Sequence, residues 1–397
     1  MNHKKLALSN DVTAWLLRRT GLAGVRRVDL LSAAVASDVG AVRVENQDRA
    51  VIACGTDKSG RGFIVAALAD GIGGMKNGAE SAAIAIGSLI TTLGQQARIG
   101  SNHAHDWLQA AAEASNASVV SAFNGKGGTT LVAIVVRPGR PACWLSVGDS
   151  RVYRASGREL TQISVDDTIA GQLGKNPIAA SEQKMLLQFI GMTEALMPHI
   201  GEINLDGVDA LLLTSDGVHF LASTPGLMGQ IVKNSADSAV CVKRLSELSK
   251  WYGGADNASV AMIELSSTLW STNEVVPRTA YMDVWDAFGE VRLVADTQGP
   301  VLEQARFDKK LPIMSQEHGQ FSDLQFLELP PVGARRFDNG DILPNSIDLQ
   351  SEKRQKVNNL LKAKPVPATR AKAKAVGSTA PIFLTESQVK NKQGGSR

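Results

Sequence analysis

Five short segments of the sequence place an acidic residue beside glycine or asparagine at the expected end of a β run. They are Arg43-Val44-Glu45-Asn46-Gln47-Asp48, Asp70-Gly71-Ile72-Gly73-Gly74, Gly148-Asp149-Ser150-Arg151, Ser215-Asp216-Gly217 and Asp256-Asn257-Ala258-Ser259. Any one alone reads as a turn, since Asp-Gly is a common hairpin sequence. Together they put Asp70, Asp149, Asp216 and Asp256 on loops that a rigid sheet would hold in place. The chain has only six scattered histidines and three distant cysteines, so a metal here must be bound through oxygen. That donor set suits a hard cation, Mg2+ or Mn2+, held by carboxylate, carbonyl and water. Gly71 fits such a site because a residue without Cβ lets its own carbonyl approach a cation beside Asp70. Two ions about 3.5–4 Å apart acidify a shared water and steady developing charge in phosphoester hydrolysis. The phosphate needs a cation of its own, and the Arg43 guanidinium can grip two of its oxygens at once.

These loops need strands and helices to position them. Residues 49–54, 63–69, 129–136, 142–147, 151–154, 160–163, 210–214 and 258–265 read as strands. The 129–136 run is apolar on both faces and should be buried on both. Helical periodicity covers 78–98, with Ala79, Ala82, Ile86, Leu89, Ile90 and Leu93 on one face. It returns over 105–123, and a further helix is expected over 238–251. Residues 1–27 read as a short amphipathic helix followed by a link.

In their order and surroundings the segments resemble the metal-dependent protein phosphatases of type 2C, in the bacterial form. The matching stretches are VRVENQDRA (42–50), ALADGIGGMKNGAESA (67–82), GGTTLVAIVV (127–136), LSVGDSRVYRASGRELTQIS (145–164), LLLTSDG (211–217) and GGADNASVAMIEL (253–265). The likeness spans roughly residues 37–265. It implies an α+β fold of two antiparallel sheets packed face to face, with helices outside each. It implies hydrolysis of phosphoserine and phosphothreonine in partner proteins, most simply the targets of a serine/threonine kinase, with two Mn2+ or Mg2+ ions and a weaker third. By the same resemblance Asp70 bridges both metals, Gly71 donates its carbonyl, and Asp216 and Asp256 complete the first metal's ligands. Asp48 lies beside the metal waters, Arg43 binds phosphate, Asn257 supports the Asp256 loop, and Asp149 shares the third site with Asp216.

The sequence also departs from that pattern. Gln47 stands where many members carry Glu, and Ile72 where animal members carry a histidine that acts as general acid. Phe220 replaces an Asp that often follows Ser-Asp-Gly, which weakens the case for the third metal. Residues 166–192, expected to form the flap over the cleft, are short and lack the usual His-Pro stretch, so substrate choice is expected to differ. Among other candidates, His219 reads as a packed or solvated side chain before a ligand. Ser150 and Ser215 read as supports of the metal loops, since no histidine pattern completes a triad. Cys143 should be inert in its apolar strand, and Trp144, Trp251 and Trp285 read as core.

Composition bounds the rest. The cysteines form no C-x-x-C pair, which excludes a disulfide framework or zinc site and suits a reducing cytosol. No apolar run reaches membrane-spanning length and no signal peptide is evident, so a cytoplasmic location is expected. The net charge of +3 hides an asymmetry: residues 351–397 carry eleven basic and two acidic residues, leaving 31 basic against 37 acidic in the body. We therefore divide the chain into an N-terminal extension (1–36), a phosphatase domain (37–266), a β-rich appendage (267–350) and a basic tail too polar to repay its ordering entropy (351–397). On that division, cutting after Leu265 should spare hydrolysis of small aryl phosphates. The apolar groups Val291, Leu293, Phe321, Leu324, Phe326 and Leu327 suggest docking of the appendage on the phosphatase domain or on a partner. The basic tail leaves an acidic protein, an acidic lipid or a nucleic acid open as partner. Two rivals stay open as well: a catalytically weak member that binds phosphoprotein, and an adaptor whose fold only carries the tail.

Overall fold

The computed structural model describes residues 2–75, 77–157, 159–173, 185–223, 226–265, 280–296 and 299–307. The chain divides into two units, Met1–Ser315 and Gln316–Arg397. The second lies outside the described residues, as do the expected basic tail, residues 308–350, and 174–184 of the expected flap.

Two antiparallel sheets carry the first unit. One contains β1 (Ala23–Val28), β2 (Ala33–Asp38), β7 (Arg151–Ser156), β8 (Glu159–Gln162), β10 (Ala210–Thr214) and β11 (Ala258–Glu264), in the order β1-β2-β11-β10-β7-β8. The other contains β3 (Arg49–Thr56), β4 (Gly62–Ala69), β5 (Leu131–Val136), β6 (Ala142–Val147), β9 (His199–Ile203), β12 (Ala280–Asp286), β13 (Gly289–Asp296) and β14 (Gly299–Phe307). Its order is β14-β13-β12-β3-β4-β5-β6-β9.

Alternation along the strands explains the sandwich, because successive side chains point to opposite faces. Ala50, Ile52, Cys54, Val132 and Ile134 face inward and pack with Val35, Leu211, Leu213, Ala261 and Ile263 of the other sheet. The intervening residues Val51, Ala53, Leu131, Ala133 and Val135 face outward, against helices. The expected two-faced burial of the 129–136 run is therefore met, with Leu131–Val136 fully buried. Helix α2 (Gly78–Ile99) lies on that outer face beside α3 (Ala104–Phe123) and α1 (Asn2–Leu16). It is buried nearly all round, not on one stripe, since α1 and α3 cover what the sheet does not. On the outer face of the first sheet, α7 (Ser238–Trp251) presses Val242 and Leu245 on Ala34, Ala36, Leu212 and Val260. Shorter helices α4 (Ile169–Leu173), α5 (Asp216–His219) and α6 (Leu227–Lys233) complete the set among the described residues.

The expected domain division needs correcting at both ends. Residues 1–36 are no extension: β1 and β2 are strands of the first sheet, β2 pairs β11 from Ala33↔Ile263 to Asp38↔Ala258, and residue 37 falls inside β2. Leu8, Val12, Trp15 and Leu16 of α1 belong to the core. Nor does the fold end at residue 266. Strand β12 pairs β3 through Met282↔Gly55 to Trp285↔Ile52, and Met282, Val284, Val291 and Leu293 are buried in the helix-facing core. The part of 267–350 among the described residues is β-structure that continues the second sheet through β12.

Candidate active site

The five acidic segments leave the strands at one edge of the sandwich. Asp48 precedes β3, Asp70 follows β4, Asp149 sits between β6 and β7, Asp216 opens α5 after β10, and Asp256 precedes β11. Asp48 is almost fully buried at 2% exposure. Its Oδ2 accepts from Ser215 Oγ at 2.8 Å, while its Oδ1 is buried with no hydrogen-bond partner among the described residues. Burial pushes the Asp48 carboxyl up to about 7. Asp70 keeps some solvent contact, yet burial of its carboxyl, followed by the charges of Asp48, Asp216, Asp149 and Asp256, raises its pKa well above the carboxylate range. Asp149 is likewise pushed up to about 7, by burial first and then by Asp216. Like charges gathered out of water disfavour ionisation in one another. The sequence-predicted acids are thus brought together around Asp70.

The Arg43 guanidinium stands at the rim, where Nη2 donates to Asp256 Oδ2 at 2.7 Å. That hydrogen bond, before the charges of Asp256, Asp216 and Asp70, raises its pKa further. The residues expected to hold phosphate and metal therefore pair with each other. Both remain partly exposed, at 41% and 34% of the side chain, so this pair is an easily exchanged one.

Backbone geometry sets the loops. At Gly71 a Cβ would come within 2.5 Å of the Gly78 carbonyl and 3.0 Å of the Gln47 Cβ, so only glycine lets this turn lie against the start of α2. At Gly217 a Cβ would collide with the Asn257 carbonyl, which seats α5 on the Asp256 loop. Asn257 is buried at 4% exposure; its Oδ1 accepts from Gln47 N at 2.8 Å and its Nδ2 donates to the Val39 and Glu45 carbonyls, each at 2.9 Å. One side chain thus ties the Arg43–Asp48 segment to Asp256. Asn257→Ala leaves the buried Val39 carbonyl and the part-buried Gln47 N–H and Glu45 carbonyl unpaired, and we expect it to lower unfolding stability by about 3 kcal/mol, read from urea denaturation.

Other supports were less visible in the sequence. Ser215 Oγ accepts from Ser259 N at 3.0 Å while donating to Asp48, and Thr130 Oγ1 and Ser150 Oγ lie 2.7 Å apart. Both serines are engaged in the frame, as expected of supports. Asp167, buried at 3%, accepts from Gly148 N at 2.9 Å and Gln188 Nε2 at 2.8 Å, and lies 2.8 Å from His199 Nε2. Arg151 forks onto Asp166 at 2.7–3.1 Å. These pairs brace the Asp149 loop, but only the β6–β9 pairing brings His199 near, so no local motif announces them. His219 is buried, with Nδ1 3.4 Å from Thr214 Oγ1. Phe220 is 39% exposed and meets Tyr252 edge-on with centroids 6.3 Å apart. Trp251 is 77% exposed and is no core residue, because it ends α7 facing away from the sheet.

The residues present fit a hard divalent cation: the donors are oxygens, one buried carboxylate oxygen lacks a partner, and neighbouring acids resist ionisation. Among the described residues, no group of three or more histidine, cysteine, aspartate or glutamate side chains is already placed to hold a metal ion.

A family model described as protein phosphatase 2C matches residues 43–256, more than half of the 397-residue chain, and contains every one of these acids. The chain belongs to the protein phosphatase 2C family. By that membership it is a hydrolytic enzyme, a serine/threonine protein phosphatase. The phosphatase PhpP of Streptococcus pneumoniae is 28% identical over 242 residues, covering 58% of this chain and 96% of that protein. The serine/threonine protein phosphatase PstP of Mycobacterium tuberculosis is 29% identical over 248 residues, covering 59% of this chain and 45% of that protein. Among solved structures, the Ser-Thr phosphatase MsPP of Mycobacterium smegmatis, in complex with cacodylate, aligns at a TM-score of 0.50 and 29% identity, covering 59% of this chain and 99% of that one. A Staphylococcus aureus serine/threonine phosphatase shares the fold at a TM-score of 0.52 and 21% identity, covering 61% of this chain and 99% of that one. The phosphatase assignment thus rests on the part of the chain that carries the acids.

Proposed function

We propose that this phosphatase removes phosphate from phosphoserine and phosphothreonine of partner proteins, using Mn2+ or Mg2+ held at the Asp70 cluster. The observation that carries this reading is the gathering of Asp48, Asp149, Asp216 and Asp256 around Asp70 with Arg43 at the rim. Bound there, a pair of divalent ions would activate water and offset charge on the phosphoryl oxygens. Asp70 and the Gly71 carbonyl would hold them, with Asp216 and Asp256 beside. Asp48 is fixed by Ser215 so that its unpartnered oxygen can accept a hydrogen bond from water in the site. Arg43 exchanges Asp256 for the substrate phosphate, a contact made before and during the reaction alike. Asp149 would serve a weaker third ion with Asp216. With Phe220 turned partly to solvent instead of an acid at that position, that site is the least furnished.

The test is hydrolysis of p-nitrophenyl phosphate and a phosphothreonine peptide with Mn2+, with EDTA and after its removal. Turnover that is lost with EDTA and restored by Mn2+ supports the reading; turnover indifferent to EDTA overturns it. No turnover with peptide binding retained would favour the binding-only rival. Arg43→Ala should raise KM for the phosphopeptide about tenfold with a smaller change in kcat, since its contact is uniform between ground and transition states. An unchanged KM would remove Arg43 from the site. No helix among the described residues is long and apolar enough to cross a membrane. The three cysteines are free and buried, which fits the reducing compartment we propose for it.

A further inference from the structure

We infer that Asp167 is a positioning residue for the reaction: its carboxylate sets the Gly148–Asp149 turn, and through that turn the aim of Asp149, while His199 holds the carboxylate in place. This rests on the reading of Asp149 as a group that serves a metal ion beside Asp216. Asp149 is itself buried, and after burial the Asp216 charge acts on it most strongly.

The turn has little freedom of its own. Gly148 has a φ of +95°, which glycine adopts without strain. A Cβ there would come within 2.8 Å of Thr130. Thr130 in turn donates its N–H to the Asp70 carbonyl at 2.8 Å, and its Oγ1 accepts from Asp70 N at 2.9 Å. The Asp149 turn therefore rests on the residue that also holds Asp70. Asp167 keeps it there: its N–H donates to the Gly148 carbonyl at 2.9 Å, and its Oδ2 accepts from Gly148 N at 2.9 Å. The peptides on both sides of Gly148 are thus fixed by one residue, and the second of them carries the N–H of Asp149.

The type of side chain matters. The loops of the other acids are tied by neutral groups: Ser215 for Asp48, Thr130 for Asp70 and Asn257 for Asp256. A carboxylate taken out of water is a costly way to close a turn and needs donors from several sides. Asp167, 3% exposed, has them. Beside Gly148 N, its Oδ2 accepts from Gln188 Nε2 at 2.8 Å, and its Oδ1 lies 2.8 Å from His199 Nε2, which donates. Its carbonyl accepts from Leu187 N at 2.8 Å. Gln188 is fixed as well, since its Oε1 accepts from Met197 N at 3.2 Å and its Nε2 donates to the Met197 carbonyl at 2.9 Å. One buried carboxylate so refers the Asp149 turn to two stretches distant in sequence, at Leu187–Gln188 and at β9. His199 stands on the edge strand β9 with its side chain 39% exposed, so it can be changed without opening the core. Groups that orient a metal ligand cost about tenfold or more in metal affinity or activity when removed.

The experiment is a double-mutant cycle on the full chain, read by p-nitrophenyl phosphate kinetics with Mn2+ and by calorimetric titration of Mn2+ without substrate. We expect Asp167→Ala to lower kcat about tenfold with KM held within about twofold, and to weaken Mn2+ binding about tenfold. Asp149→Ala should match it on both readouts. In the Asp149→Ala background, Asp167→Ala should cost no more than about twofold further, because the group it positions has gone. His199→Ala should follow the same pattern at about threefold. His199→Gln keeps an N–H at similar reach and should restore wild-type values within about twofold. Urea denaturation of each variant separates stability from these readouts, and the His199 variants carry the cycle with Asp149→Ala if Asp167→Ala does not fold. Losses that multiply in the double variant, to about a hundredfold, show Asp167 acting apart from Asp149 and overturn the inference while leaving the phosphatase reading intact. Unchanged Mn2+ binding in Asp167→Ala, or a His199→Gln no better than His199→Ala, overturns it too. A wild type that neither binds Mn2+ nor turns over overturns both.

Discussion

Asp70→Asn is expected to cut hydrolysis of p-nitrophenyl phosphate by at least about a thousandfold, equivalent to roughly 4 kcal/mol of transition-state stabilisation. The amide keeps the shape of the carboxylate but not its charge, and Asp70 is the residue around which the other acids gather. The fold should not suffer. Asp70 has its pKa raised in the folded protein, so its charged form is disfavoured there. A raised folded-state pKa contributes stability that is present below the unfolded value and lost as pH rises through the folded one. At neutral pH without added metal, the wild type therefore carries a penalty that the neutral asparagine lacks. The variant should melt at the same temperature as the wild type or higher, and gain less when Mn2+ is added. Wild-type turnover by the variant would sink the two-metal reading; a lower melting point without metal would sink the electrostatic account.

Cutting the chain after Leu265 is expected to destroy the fold. The cut removes Met282, Val284, Val291 and Leu293, all buried against the helix-facing core. At about 1.5–3 kcal/mol for each side chain, the loss is of the same order as the whole stability of a domain. It also bares the β3 edge that β12 pairs and leaves Arg18 without the Asp286 carboxylate. By contrast, a cut after Ser315 keeps the first unit whole and should keep its melting temperature and aryl-phosphatase rate within about twofold. Circular dichroism melts and p-nitrophenyl phosphate assays on both truncations check this. Cooperative unfolding and full activity in the shorter one would show that β12 and β13 are dispensable.

That result runs against the boundary read from the sequence, and the reasons are physical. Strands β3, β4, β5 and β6 are legible because Val51, Ile52, Leu68, Val132 and Ile134 give dense apolar runs. The helix of Ser238–Trp251 is legible because its apolar stripe is clean. Strand β2 is Ala-Ala-Val-Ala-Ser-Asp, small residues with no strong preference of their own, and it becomes a strand because β1 and β11 flank it. Strand β12 does alternate, with Met282 and Val284 buried, but its membership in the sheet depends on a partner at residues 52–55. The acids of the site are legible for the opposite reason: an aspartate beside glycine at a strand end is a local signal. Their braces, such as Asp167 with His199, are long-range pairs that carry no signal until the chain has folded.

The pairing of β2 with β11 sets a timetable for the newborn chain. Asp38 must wait for Ala258, so the first sheet cannot close until almost the whole domain has been synthesised. Contacts so distant along the chain form slowly and late. At roughly 5–20 residues per second, about 10–40 s separate the emergence of Asp70 from that of Glu264. For most of that interval Asp48 and Asp70 exist without Asp216, and for nearly all of it without Asp256. On the proposed reading of the site, a chain stalled on the ribosome before β11 should yield a fragment without phosphatase activity, which an assay of stalled chains on p-nitrophenyl phosphate checks.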